Sequence, residues 1–196
     1  MIVFIFRRDL RLKDNSGLNR AITLSKELNK KIILLFIFTP EQISKNSYKS
    51  DSSLNFMINC LKELPNIHLF YGTNKDVLSE LTATHNISHI VFNKDTTHYA
   101  RKRDKEIQQL CTSFGIECIQ VLDYNLLDDF DTVQTSTGDY YTVYTPFYNN
   151  ASKLNVRKPT TSTLTNVYTQ RIPSKYSTTL NNILNEYVKE IPKDIL

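Results

Sequence analysis

The chain has 196 residues, 40% of them hydrophobic and 22% charged, with a formal net charge of +4. That length suits one well-buried α/β domain plus a tail or small second unit, and so mild a basic balance permits an acidic partner without demanding one. No apolar run approaches the roughly 20 residues needed to cross a bilayer, and Met1-Ile2-Val3-Phe4 lacks the basic region and cleavage site of a secretory leader. Cys60, Cys111 and Cys118 show no metal-like spacing and cannot all be bridged, so they read as buried thiols in a reducing compartment. An intracellular protein, cytoplasmic or nuclear and without membrane contact, is expected.

The first element is a strand over Ile2 to Phe6, short, apolar and bounded by charge, as a strand buried on both faces should be. Asn15-Ser16 caps a helix running to about Leu28, with Leu18, Ile22 and Leu28 on one stripe. A second buried strand spans Ile32 to Phe38 and stops at Thr39-Pro40. The polar loop Glu41 to Lys49 leads to Asp51-Ser52-Ser53, read as the N-cap of a helix carrying Leu54, Met57, Ile58, Leu61 and Leu64. Strands follow over Ile67 to Tyr71, Ile87 to Phe92 and Ile116 to Leu122. Between them lie a helix with Val77, Leu78 and Leu81, and another from His98 or Tyr99 to Phe114, ended by Gly115 in a left-handed cap. Five alternating β and α units predict an α/β fold, a five-stranded, mostly parallel, Rossmann-like doubly wound sheet.

Beyond Asp123 the alternation stops. Thr135 to Pro146 carries a turn at Thr137-Gly138-Asp139 and a Tyr-rich segment; Phe147 to Leu154 has the length of a short helix. Lys158 to Pro173 has linker chemistry, and Leu180 to Ile191 an amphipathic repeat that needs something to pack on. The expected division is a core over 1–130, an extension of it over 131–157, and a linker with a terminal helix over 158–196.

The chemistry is sparse. Four glycines, Gly17, Gly72, Gly115 and Gly138, cannot build G-x-G-x-x-G or a P-loop, which need several to bring backbone amides to phosphate. His68, His85, His89 and His98 are scattered without ligand spacing, so no metal site is expected. Two polar clusters remain, both at C-terminal ends of strands, where open α/β sheets bind ligands. Arg7-Arg8-Asp9 with Arg11 and Asp14 reads first as an ion-pair network pinning the loop, and second as an arginine facing a ligand or a second domain. In the other cluster, Asn93, Asp95 and Thr97 present acceptors and hydroxyls, with Asp95, beside a helix N-terminus, the best ligand candidate. The segment Tyr140 to Tyr148 lacks interleaved basic residues, so packing on the sheet or another domain fits it better than base stacking. Basic patches at Arg101-Lys102-Arg103 and Lys153 to Lys158 are too small to indicate nucleic-acid binding.

These clusters carry a resemblance. Phe6 to Leu18 resembles the opening "F-R-R-D-L-R-L-x-D-N-x-x-L" of photolyases and cryptochromes. Leu35 to Pro40 is similar to that family's "L-F-x-x-D-P", with Thr39 in place of the acid. Asn93-x-Asp95 followed by Tyr99-Ala100-Arg101-x-Arg103-Asp104 resembles "N-x-D-x-x-P-Y-x-x-x-R-D", with His98 for proline. Gly138 to Phe147 resembles "G-x-x-Y-x-V-F-T-P-F". The four motifs stand in family order across about residues 2 to 155.

The resemblance implies an N-terminal α/β domain that holds a light-harvesting antenna chromophore and passes excitation to FAD in a following helical domain. Matched by position, the antenna site would be Arg8, Phe36, Phe38, Thr39, Asn93, Asp95 and Thr97. Tyr99 and Ala100 replace the Asn-Glu pair that holds a pterin in some members, which ranks deazaflavin or FMN ahead of folate. The FAD-binding domain and its tryptophan chain are not matched, and the sequence has no Trp. No FAD, no catalytic residue and no repair activity are therefore expected of this chain alone, and DNA only indirectly. Its partner would be a FAD-binding helical domain or companion chain, facing residues near Arg7, Arg11 and Tyr141 to Phe147. The alternative is a degenerate, non-catalytic binding or scaffold protein that kept the fold and lost the chromophore.

Overall fold

The structure is a computed structural model in which residues 1–127, 133–161 and 163–189 are described. Five strands, β1 (Ile2–Phe6), β2 (Ile32–Phe38), β3 (Ile67–Tyr71), β4 (His89–Asn93) and β5 (Glu117–Val121), form one sheet in the order β3-β2-β1-β4-β5. Every pairing is parallel, from Ile2 beside Ile32 and His89 to Phe38 beside Tyr71. The expected Rossmann-like order is thus realised, with the chain reversing direction across the sheet between β1 and β4.

The period of two along each strand divides the apolar residues between two cores. Phe4, Phe6, Leu34, Phe36 and Phe38 face α1 (Ser16–Leu28) and, beyond the short α2 (Pro40–Ile43), α3 (Asp51–Lys62). Val3, Ile5, Leu35 and Ile37 face α4 (Asn74–Thr84) and α5 (His98–Ser113). Each such side chain contributes about 1.5–3 kcal/mol by leaving water, and β1 and β2 are buried at every position. The helix caps are local and sequence-written. Asn15, Ser50, Thr73 and Thr97 each accept a backbone N–H of the first turn. Ser50, not Asp51 to Ser53, is the cap of α3, and Gly115 takes the left-handed conformation expected of it, with φ of 66°.

The tail differs from its linker-like composition. Ile32 donates to the Asn166 carbonyl and Tyr168 to the Ile32 carbonyl, while Tyr71 and Tyr176, and Leu69 and Thr178, pair backbone to backbone along the β3 edge. The segment covers an otherwise open sheet edge, which explains why polar chain stays on the domain. The helix α7 (Leu180–Tyr187) finds its packing partner in α3, with Ile183 2% exposed; it stops short of the expected Ile191, because Val188 turns extended and the Lys189 N–H is taken by Asp51, and the expected boundary at 130/131 lies outside the described residues. The Tyr-rich segment also departs from expectation. Its helix, α6 (Tyr144–Ala151), begins three residues before Phe147 and buries none of its residues on the sheet. No helix among the described residues is long and apolar enough to cross a membrane.

Candidate functional site

The C-terminal edge of the sheet has two halves. Between β1 and β4 it is filled. Asn93, fully buried at the end of β4, donates to the Asp9 carboxylate and to Asn15 Oδ1, 2.8 Å away, and accepts the Gly17 N–H at 2.9 Å. Asn15 Nδ2 in turn donates to the Asp9 and Arg11 carbonyls. Asp123, just past β5, accepts the Ser16 N–H at 2.8 Å and pairs with Arg11 at 2.6 Å. The first three N–H groups of α1 are therefore taken by Asp123, Asn93 and Asn15 side chains. That helix N-terminus, the phosphate seat of a dinucleotide fold, is stoppered by the protein itself. Gly17 makes the closure possible, because a Cβ there would stand 2.4 Å from Asn93 Oδ1.

Over β1 and β2 the edge is open. A cavity of about 430 Å³ is walled by Phe6, Leu10, Phe36, Ile37, Phe56 and Met57, with Thr39, Gln42, Cys60 and Asn74 as its uncharged polar or thiol groups. Its remaining charged lining is Arg7, Arg8, Arg11 and Arg103, without one carboxylate. Such a volume, apolar walls and few polar groups are the usual make-up of a small-molecule site. A further hollow of about 280 Å³ adjoins it, sharing Asn74 and Arg103 and adding Tyr99, Glu41 and Lys102. Tyr99 Oη lies 3.4 Å from Thr39 Oγ1, and Phe56, 70% exposed, lines the cavity.

The arginines differ in how they are compensated. Arg8 is exposed, pairs with Asp95 at 3.3 Å and lies over the Tyr124 ring; Arg11 is matched by Asp123. Arg7 and Arg103 share one oxygen of Asp104, at 2.7 and 2.9 Å, and their side chains are only 8% and 10% exposed. Burial, reinforced by the Arg103 charge and opposed by Asp104, pulls the Arg7 pKa down to about 10. The Arg7 guanidinium also sits 3.9 Å from the Phe92 ring centroid. Arg7 is turned inward, which corrects the expectation that it faces a partner domain.

With this geometry fixed, the comparisons are decisive about lineage. The family model described as DNA photolyase matches residues 2–166. The chain belongs to the DNA photolyase family. Among its photolyase relatives, the deoxyribodipyrimidine photo-lyase of a Synechococcus strain is 31% identical over 157 residues, which is 76% of this chain and 31% of the relative. An archaeal photolyase structure from Sulfolobus tokodaii superposes with a TM-score of 0.77 at 31% identity, covering 100% of this chain and 43% of that one. That protein is described as holding two FAD molecules and as implying a novel light-harvesting cofactor. A Synechocystis cryptochrome shares the fold, with a TM-score of 0.70 at 19% identity over 91% of this chain and 38% of its own. The chain thus spans about a third of the length of the photolyase it matches first.

Within this photolyase domain, the seven residues matched by motif do not all meet. Arg8, Phe36 and Thr39 line the cavity over β1 and β2; Phe38, Asn93, Asp95 and Thr97 do not. Phe38 is fully buried against Phe36, Asn93 is consumed by the filled half, and Thr97 caps α5 by accepting the Ala100 N–H. Asp95 touches the cavity only through Arg8. Sequence reasoning missed Gln42, Phe56, Met57, Cys60, Asn74 and Arg103. The helical stripe of α3 was the available signal: Phe56 and Cys60 fall four residues apart, on a face that α3 does not bury.

Proposed function

We propose that this photolyase-family domain holds a light-harvesting antenna chromophore of flavin or deazaflavin type and docks on a FAD-containing helical domain or chain. The observation that supports the reading most is the cavity over β1 and β2, with aromatic and methionine walls, arginine edges and no carboxylate. A planar, hydrophobic ring bearing polar substituents suits that lining. Arg8, Phe36 and Thr39 would contact it, with Phe56 closing the rim and Asp95 holding Arg8. Light-driven DNA repair or photoreception would belong to the assembled system. The docking face would include the exposed segment of Tyr140, Val143, Tyr144 and Tyr148, 55–73% exposed.

The test is reconstitution. Purified chain is incubated with FMN or 8-hydroxy-5-deazaflavin, freed of excess by gel filtration, and its absorption spectrum recorded. One bound chromophore per chain, with a near-ultraviolet or blue band, is expected. A bare protein spectrum with every candidate, before and after mixing with a helical flavoprotein of the family, would leave the scaffold reading instead.

A further inference from the structure

Two of the three thiols meet. Cys111 lies in the last turn of α5 and Cys118 is the second residue of β5, and both side chains pack into the core between the sheet and helices α4 and α5. The Ile116 N–H donates to the Cys111 carbonyl at 2.8 Å, just past the left-handed Gly115, and this bond folds β5 back beside the end of the helix. Ile116 and Cys118 then share one face of the chain by the period of two. There the Cys111 thiol donates to the Cys118 sulfur. Both are free thiols, yet their exposure differs. Cys111 is 1% exposed, whereas Cys118 is only partly buried, on the strand that ends the sheet. Cys60, on α3, lies on the opposite side of the sheet.

The thiolate, not the thiol, is the nucleophile, and a donor or a nearby cation favours it. Cys118 has both. The bond from Cys111 draws its pKa below the ordinary thiol value against the burial that raises it, and the Arg7 charge helps. Giving that bond, together with burial, holds Cys111 in its protonated form. One sulfur is therefore reachable and activated, while its neighbour is sheltered and carries a proton. An accessible thiolate beside a second thiol is the make-up of a peroxide-sensitive pair. We propose that Cys118 and Cys111 are an oxidative modification site, at which a hydroperoxide converts two thiols into one intrachain disulfide. The Cys118 thiolate attacks a peroxide oxygen; the S–O bond forms, the O–O bond breaks, hydroxide leaves, and Cys118 becomes a sulfenic acid. The Cys111 sulfur then attacks the Cys118 sulfur; the S–S bond forms, the S–O bond breaks, and water leaves with the Cys111 proton. The two thiols together give up two electrons, and the peroxide is reduced to water. The product ties the end of α5, the helix that carries Arg103 and Asp104, to the edge strand.

The experiment treats the reduced full chain with a small molar excess of hydrogen peroxide, alkylates the remaining thiols with iodoacetamide and maps them by mass spectrometry. Trypsin leaves Cys111 and Cys118 on one peptide, because no Lys or Arg stands between Lys105 and Lys153. That peptide should lose about 2 Da and both alkylation sites, with recovery by dithiothreitol, while Cys60 is still alkylated. In Cys111→Ser, Cys118 should stop at the sulfenic acid and be captured by dimedone. In Cys118→Ser, Cys111 should stay reduced. The wild-type mass needs no variant, so an early-melting variant leaves the test intact. Retention of both alkylation sites, or oxidation of Cys60 ahead of them, would overturn the pair. A disulfide-linked dimer through Cys118, with Cys111 still alkylated, would overturn it as well.

Discussion

The two halves of the sheet edge show opposite uses of the same kinds of residue. Between β1 and β4, at the point where strand order reverses and open α/β sheets ordinarily open a crevice, Asp9, Asn15, Asn93 and Asp123 satisfy one another and the first turn of α1. Between β1 and β2, aromatic and sulfur-bearing side chains hold space open, and arginines line it without a carboxylate. Polar density is high on the closed side and low on the open one. A ligand is therefore better sought where the edge stays open than where polar residues crowd, since crowded polar groups are commonly each other's solution.

The sharpest way to break that contrast is to empty the closed side. Asn93→Ala leaves the Gly17 N–H buried without a partner and takes one donor from the Asp9 carboxylate, and we expect a loss of about 2–5 kcal/mol. Urea unfolding reads it as a lower midpoint at unchanged slope. Chromophore affinity, measured well below the transition, should hold within about twofold. A variant of wild-type stability would mean that the Asn93 bonds are not what closes this half.

Filling the open side should do the reverse. Cys60→Trp projects an indole from α3 into the cavity, where Cys60 is part of the wall. Chromophore affinity should fall by more than tenfold, with stability changed by no more than about 1 kcal/mol, as for a partly exposed site. Undiminished uptake in a folded Cys60→Trp protein would move the site away from this cavity.

Much of the architecture was legible because the strands alternate with helices at short range. Ile2–Phe6 and Ile32–Phe38 are apolar throughout, the cap at Asn15 obeys local chemistry, and Gly115 ends its helix where a left-handed residue was needed. The site was legible only in part. A motif match locates a residue at a strand end but not the side it faces. Asn93 lies beside β1 on the closed half, whereas Phe36 and Thr39, on the far side of β1, reach the open one. Asp123 went unread because its role depends on β5 lying next to β4, a contact that no local pattern encodes. The tail misled for a related reason. Its composition is that of a spacer, yet its backbone groups bond to Ile32 and to the β3 edge, and backbone pairing leaves little trace in side-chain chemistry.

A smaller effect probes the boundary between the halves. Asp95 reaches the cavity only through its partly exposed pair with Arg8, and pairs of that kind contribute about 0–1 kcal/mol. Asp95→Ala should weaken chromophore binding by at most about fivefold without lowering the melting temperature. A loss as large as that of Cys60→Trp would make Asp95 a direct ligand contact and extend the open half across β1.

The smallest effect lies away from the edge altogether and tests whether the rim is stabilised independently of it. His68, on β3, donates to the Tyr168 carbonyl of the tail at 3.2 Å. Burial lowers its pKa from the usual 6.5, with the bond to Tyr168 opposing and the neighbouring His85 reinforcing the shift. The unfolded chain therefore takes up the proton more readily than the folded one, so stability is full above pH 6.5 and declines as pH falls below it. In His68→Gln that decline should be shallower, by chemical unfolding at matched ionic strength. An identical slope in variant and wild type would show that acid acts through other groups. The Asp14 carboxylate is held below its ordinary range first by Arg157 and then by the Thr160 N–H. It contributes only at still lower pH, because a carboxylate so held keeps its charge until the pH passes below the ordinary value of 3.8.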